Sequence, residues 1–271
     1  MDTILKEEPR YWKPAEPTDD ERREILDIAN RQEARDELDK MVAGFKVLAH
    51  TGVVKGLYEG LYGHVSVRVP GAPNCFWVNS VGARYSEMTR DKMVLLTGDG
   101  KIIDGRNMRN FAAFFIHAAI HAARPDINCV VHHHSRAACA FSALGVELEP
   151  IDQVGCSFYE DHALHSEYSG VIANADQGSD IVNALGDKRS LILTSHGLIT
   201  CGKTVEQAII DYYELERTCD VQLLALSTGR PLQQIPPEAA RQVRKFRTDP
   251  RRYLVEWGML MDIIDDGAGG H

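Results

Sequence analysis

The stretch NCVVHHHSRAACA, residues 128–140, places three consecutive histidines directly after an apolar run. Cys129, Val130 and Val131 have the composition of a short buried strand, and a strand sends successive side chains to opposite faces. His132 and His134 therefore share one face, and His133 takes the other. Two imidazoles on one face can meet a single metal ion if a third ligand arrives from elsewhere. His196 in LILTSHGLIT is the candidate, at the end of a second apolar strand and followed by Gly197. A lone histidine in that position is ordinarily a packing or capping residue, whereas three converging imidazoles read as a metal site. Imidazole nitrogen suits Zn, Fe, Cu or Ni, and three protein ligands leave positions open for water or substrate.

Two further groups could carry chemistry. His117 and His121 form an H-x-x-x-H on a helical stretch, which is also ligand spacing. They lie among alanines and phenylalanines, so packed or hydrogen-bonding histidines is the simpler reading. In FYEDHALH, Tyr159, Asp161 and His162 cluster in a polar loop that could supply a proton relay or substrate contacts.

The rest of the chain must position these groups. Its 271 residues are 44% hydrophobic and 25% charged, which fits one globular domain with arms at its ends. Lys+Arg 30 against Asp+Glu 39 gives a net charge of −9, which argues against nucleic-acid partners. No apolar run reaches the roughly 20 residues that span a membrane. The acidic, proline-spaced start is not a secretory signal. Six cysteines without a C-x-x-C read as buried reduced thiols of a cytoplasmic protein.

Residues 1–20 read as an extended arm with Pro9, Pro14 and Pro17 blocking helix. A helix is expected after Thr18 and Asp19-Asp20, and another through RDELDKMVAGFKVLAHTG with Gly52 as its stop. HVSVRVP alternates Val65, Val67 and Val69 against Ser66 and Arg68, and CFWVNS reads as a second strand. KMVLLTGDGKIIDG reads as a hairpin turning at Asp99-Gly100. NFAAFFIHAAIHAARPD is then an amphipathic helix feeding the histidine strand. DQGSDIVNALGDK reads as helix, SLILTSHG as strand, and a long helix follows Gly202 with Thr204 as N-cap. The tail from Pro231 is expected to pack on the body or on a neighbouring subunit.

With LYGHVSVRV, VNSVGARYSEMT, IHAAIHAARPDINCVVHHHS and LILTSHGLITCG in that order, the chain resembles the class II aldolase/adducin family over roughly residues 35–227. Residues 1–34 would be an N-terminal arm and helix, and 228–271 a C-terminal tail. The resemblance implies an α/β fold, a three-layer α/β/α sandwich with a mostly antiparallel central sheet, and commonly a homotetramer. It implies His132, His134 and His196 as the three ligands of one divalent metal ion per subunit.

The departures from the family pattern matter as much. The family's aldolases carry a glutamate four residues before the histidine that matches His117; here that position is Ala113. The serines that hold a sugar phosphate correspond to Phe111 and Ala112, and the Gly-Asn phosphate loop reads Gly63-His64, although Ser66 remains. An ordinary sugar-phosphate aldolase would lack its proton carrier and its phosphate site here. Two branches of the family share that lack, the adducin head and the aldolase-like iron oxygenases of aminocoumarin antibiotic biosynthesis. The expectation is therefore a C–C-cleaving enzyme, foremost an Fe(II) oxygenase that oxidatively decarboxylates an aromatic 2-oxo or 2-hydroxy acid. A lyase using Zn, Mn or another divalent ion on a non-phosphorylated substrate and a non-catalytic adducin-like module are the alternatives. Expected substrate contacts are Ser66, His64, Phe111 and Phe115, and expected proton carriers are His162, Tyr159 and Asp161.

Overall fold

Helix begins where its capping signal stands. In the computed structural model, which describes residues 15–55, 61–105 and 111–268, with side chains at 111–112 and 266–268 left aside, Thr18 caps α1 (Asp19–Ala29). Its Oγ1 accepts from Glu21 N at 3.1 Å while the Glu21 carboxylate accepts from Thr18 N at 2.8 Å, a reciprocal capping box. Most of the N-terminal arm falls outside the described residues. Helix α2 (Gln32–His50) follows, buries Met41, Phe45 and Leu48, and ends at Thr51 before Gly52.

Strands β1 (Gly63–Val69), β2 (Ala72–Asn79), β3 (Met93–Thr97) and β4 (Ile102–Asp104) form an antiparallel meander. Helix α3 (Phe111–Ala123) leads into β5 (Cys129–His133), which pairs with β1. Short α4 (Arg136–Ser142), β6 (His162–His165) and α5 (Ala175–Leu185) come next. Then β7 (Ser190–Leu193) and β8 (Gly197–Gly202) return to β5, and α6 (Val205–Leu226) starts behind its N-cap Thr204. The eight strands make one sheet in the order β4-β3-β2-β1-β5-β8-β7-β6, and only β6 and β7 run parallel. The α/β/α sandwich is as expected.

Alternation along the strands sorts the two layers. Val65, Val67, Cys129 and Val131 face a core shared with Met41, Phe45, Phe141, Ile209 and Leu215 of α2, α4 and α6. Val130, Ile199 and Leu191 face the other way, onto Ile116, Ile120 and Ile181 of α3 and α5.

One expectation needs correcting. LILTSHGLIT is not a single strand ending at His196; β7 stops at Leu193, and Thr194–His196 form a tight turn into β8. Ser195 takes a φ of +57° there, and His196 N closes the turn on Leu193 O at 3.0 Å. Gly197, expected just past a strand's end, begins the next strand.

The tail returns to its own body. In α7 (Pro237–Arg247) and α8 (Pro250–Ala268), Tyr253 donates to Asp211 Oδ1 at 2.8 Å, while Arg247 and Arg252 both reach the nearly buried Glu214. Five of the six cysteines are buried, and Cys139 is half-buried. No helix among the described residues is long and apolar enough to cross a membrane.

A candidate metal centre

Pleating and one tight turn bring three imidazoles together. His132 projects from β5 toward the α3/α5 layer, His134 follows just past the strand's end, and His196 reaches in from the β7–β8 turn. One donor nitrogen from each lies within 4.8 Å of the others. His132 Nε2 and His134 Nε2 are 3.0 Å apart, and the three ring centroids are separated by 4.5 to 4.9 Å. Two nitrogens bound to one ion at about 2.1 Å stand roughly 3.0 to 3.4 Å apart, so the His132–His134 spacing suits a shared metal. His132 Nδ1–H donates to Leu198 O at 2.9 Å, which leaves the Nε2 lone pair for the centre.

Burial keeps the set neutral. It pushes His132 well below its ordinary value and lowers His134. His196 is held at about 4 by burial first, then by the neighbouring His134 and His165. Neutral imidazole is the metal-binding form.

The surroundings fix the ligands. His133 points the other way, fully buried with its ring 5.6 Å from that of Tyr85. Its backbone carbonyl accepts from Tyr212 Oη at 2.9 Å. Glu216 accepts from Ser135 Oγ and from the amides of Ala137 and Ala138 at 3.0 and 2.8 Å, pinning α4 directly after His134. Ser195 N donates to Ser142 O at 3.1 Å, tying the His196 turn to the far end of the same helix. The site opens on a cleft of 540 Å³ lined by His134, Ser135, Arg136, Cys139, Val53 and Lys55 among others. A neighbouring hollow of 660 Å³ shares Val53 and Arg136 but has no histidine in its wall.

Behind His132 lies an arrangement that the spacing alone did not reveal. The His64 ring sits 4.8 Å from that of His132, its strand partner in β1. His64 Nδ1 is 2.6 Å from His117 Nε2, His117 Nδ1 is 2.5 Å from Ser66 Oγ, and Ser66 Oγ is 2.8 Å from His121 Nε2. All four side chains are buried. Burial holds His117 at about 3, and holds His64 and His121 well below the ordinary range. His117 and His121 are thus hydrogen-bonded interior histidines, as their apolar setting suggested. Matching the i, i+4 pair on α3 with the i, i+2 pair His64/Ser66 on β1 is the signal that could have revealed the string.

Other expected residues sit elsewhere. Ser66 is sealed between two histidines and presents no surface to a substrate. His162 accepts from Leu148 N at 3.0 Å and donates to Phe158 O at 2.7 Å, so backbone occupies both ring nitrogens. It begins β6, whereas His165, three residues on and roughly 10 Å along the strand, is the end that nears His196. Asp161 is an ion-pair partner of Arg189 at 2.6 Å, and Tyr159 lies under the Arg241 guanidinium. None of these three is brought to the triad. Phe115 is half-buried, packs against both core clusters of the α3/α5 layer and is absent from the cleft's wall. The Phe111 side chain is outside the described residues. Ala113 is fully buried among Phe76, Val78, Val94 and Leu96, an apolar setting.

Residues 40–223 match the family model described as Class II Aldolase and Adducin N-terminal domain. The chain belongs to the class II aldolase and adducin family. It is 36% identical over 184 residues to decarboxylase NovR of Streptomyces niveus, covering 68% of each chain. Over 184 residues it is 37% identical to a 4-hydroxy-3-prenylphenylpyruvate oxygenase/4-hydroxy-3-prenylbenzoate synthase of Streptomyces roseochromogenus subsp. oscitans, covering 68% of this chain and 66% of that one. Among solved structures, the L-fuculose 1-phosphate aldolase of Glaciozyma antarctica PI12 superposes with a TM-score of 0.78 at 30% identity, over 89% of this chain and 93% of that one. Class II aldolases of this fold generally use a divalent metal, and the histidine triad offers a fitting donor set.

Proposed function

We propose that this protein is a metal-dependent enzyme that cleaves a carbon–carbon bond, with His132, His134 and His196 holding one divalent ion, Fe(II) by preference. The reaction we assign is oxidative decarboxylation of an aromatic 2-oxo or 2-hydroxy acid with dioxygen, in secondary metabolism. The observation that carries it is the donor set: three neutral nitrogens within 4.8 Å, and an alanine in an apolar cluster where a carboxylate would complete an aldolase. The likeness to a decarboxylase and to a prenylphenylpyruvate oxygenase supports the same reading.

When bound, Fe(II) supplies redox chemistry with dioxygen and Lewis acidity toward a chelating acid. The protein's part is to bind and orient. His132, locked through Leu198 O, and His196, locked by its turn, present lone pairs without needing to shed protons. The buried sheet face behind them excludes water, and the cleft beside His134 admits the substrate. Homotetrameric assembly and a cytoplasmic location belong to the same proposal. A second reading, a zinc- or manganese-dependent lyase on a non-phosphorylated substrate, is favoured by the close structural match to an aldolase.

The test is metal content per subunit in protein purified without oxygen, wild type beside His196→Ala. Iron near one per subunit, lost in the variant and followed by oxygen uptake with aromatic 2-oxo acids, is the expected result. Zinc or manganese that the variant loses selects the lyase. No metal in the wild type, even after reconstitution, overturns both and leaves an adducin-like binding module.

A further inference from the structure

Helix α8 is apolar on two sides, and its own chain covers one of them. Tyr253, Trp257, Leu260, Met261 and Ile264 pack it onto the body. Leu254, Val255, Met259 and Ile263 lie on the other side and are 46% to 66% exposed. A helix that is apolar all round belongs between two surfaces. At about 100° per residue, Arg251, Val255, Gly258, Met259 and Asp262 fall within about 100° of arc, so one outward stripe runs from a cation through apolar residues to a carboxylate.

Two features of that stripe point to what covers it. A Cβ on Gly258 would meet nothing within 4 Å in its own chain, although glycine inside a helix is less stable than alanine. Its use in mid-helix is close approach by another backbone. The charges are also reversed for a lone helix, whose N-terminal end favours carboxylates and whose C-terminal end favours cations. Arg251 stands in the first turn, its side chain 89% exposed and paired only with Asp249. Asp262 and Asp265 are exposed toward the other end and make no ion pair among the described residues. This order is the one that meets a copy of itself. Turned end for end about Gly258, the helix sets Arg251 against Asp265, because the two lie equally far from that glycine, about 10 Å along the axis.

We propose that the outer face of α8 is a twofold interface with a second copy of this chain, in which two α8 helices cross antiparallel at Gly258. Val255, Met259, Leu254 and Ile263 of each copy bury one another. Arg251 of each meets the carboxylates at the C-terminal end of the other, where the two dipoles also oppose favourably. An interface of this kind is isologous, so every contact occurs twice. The inference rests on the assembly proposed above, to which it gives a surface, and it does not depend on the metal.

The experiment is sedimentation velocity on the full chain over a wide range of concentration, with thermal unfolding of the same samples. The wild type should sediment as a dimer or an even multiple of one. Met259→Asp should sediment at half that size, with a dissociation constant raised about 10-fold or more, while circular dichroism shows the helix content unchanged. Gly258→Ala and Asp265→Lys separate the interface from a solvent-facing helix, because both favour a lone helix. In the pair each should weaken association, Asp265→Lys by about 3- to 10-fold since the twofold counts the charge pair twice, and adding Arg251→Glu should restore it. Either single variant that raises the melting temperature and leaves association as it was overturns the inference. A monomeric wild type overturns the assembly reading and this inference together. An oligomer that Met259→Asp leaves intact overturns this inference alone.

Discussion

Gly63→Ala tests how closely β1 must approach β5 for the centre to exist. Gly63 is the register partner of His133, and a methyl group built on it would stand 1.8 Å from His133 Cδ2 and 2.6 Å from Cγ and Nε2. The ring has no room to retreat, because it is fully buried against Tyr85. The strands must therefore separate, and β1 would carry His64 and Ser66 away from His132 and His117. Forcing a methyl into a packed interior costs about 1–3 kcal/mol, or more where backbone must move. Removing a strand glycine returns only about 0.5–1 kcal/mol. The net expectation is a loss of about 2 kcal/mol, which for a chain of this size lowers the melting temperature by roughly 4–8 °C. Urea unfolding followed by circular dichroism gives the stability, and calorimetric zinc titration gives the affinity, which should fall in parallel. Unchanged unfolding and unchanged zinc affinity would refute the reasoning, since the clash would then not exist.

Two further outcomes follow from buried groups. Burial holds the folded His117 at about 3 against about 6.5 when unfolded, so its neutral form stabilises the fold above pH 6.5 and that contribution is lost as pH falls toward 3. Between pH 6.5 and 4.5 the wild type should lose up to about 1.4 kcal/mol per pH unit more than His117→Gln; parallel unfolding curves across that range would contradict it. Tyr253→Phe removes the hydrogen bond to buried Asp211 that anchors α8. It should cost about 1.5–3 kcal/mol and speed tryptic release of the tail, whereas a change below about 0.5 kcal/mol would show that Arg189 alone satisfies that carboxylate.

The strongest parts of the fold were written in local pattern. Thr18 before Asp19-Asp20 starts α1, Asp99-Gly100 turns the β3–β4 hairpin, and the valine alternation of β1 faces one core, as read from residue types alone. The period of two along β5 also fixed which histidines share a face, because pleating depends only on the backbone. Motif order then carried the family. Residue order could not carry the partners of the polar side chains. FYEDHALH looked like a catalytic loop because it is polar, yet Leu148 N, Phe158 O and Arg189 consume its groups, and they arrive from other segments. SLILTSHG looked like one strand because turn residues Thr194 and Ser195 are not glycines or prolines. Its fold-back is held by Ser142 of α4, more than fifty residues earlier in the chain.

The sequence by itself thus determined most strands and helices from short-range periodicity, the three histidines of the candidate centre from their spacing, and, through motif order, the family whose resemblance implied the layers. Only the tertiary structure decided what stands behind those nitrogens. His64, His117, Ser66 and His121 lie on two elements, β1 and α3, and their side chains meet in one hydrogen-bonded string only because packing sets that helix against the sheet. Periodicity places a side chain on a face. Its hydrogen-bond partners, and hence its chemistry, are settled by what packing brings to that face.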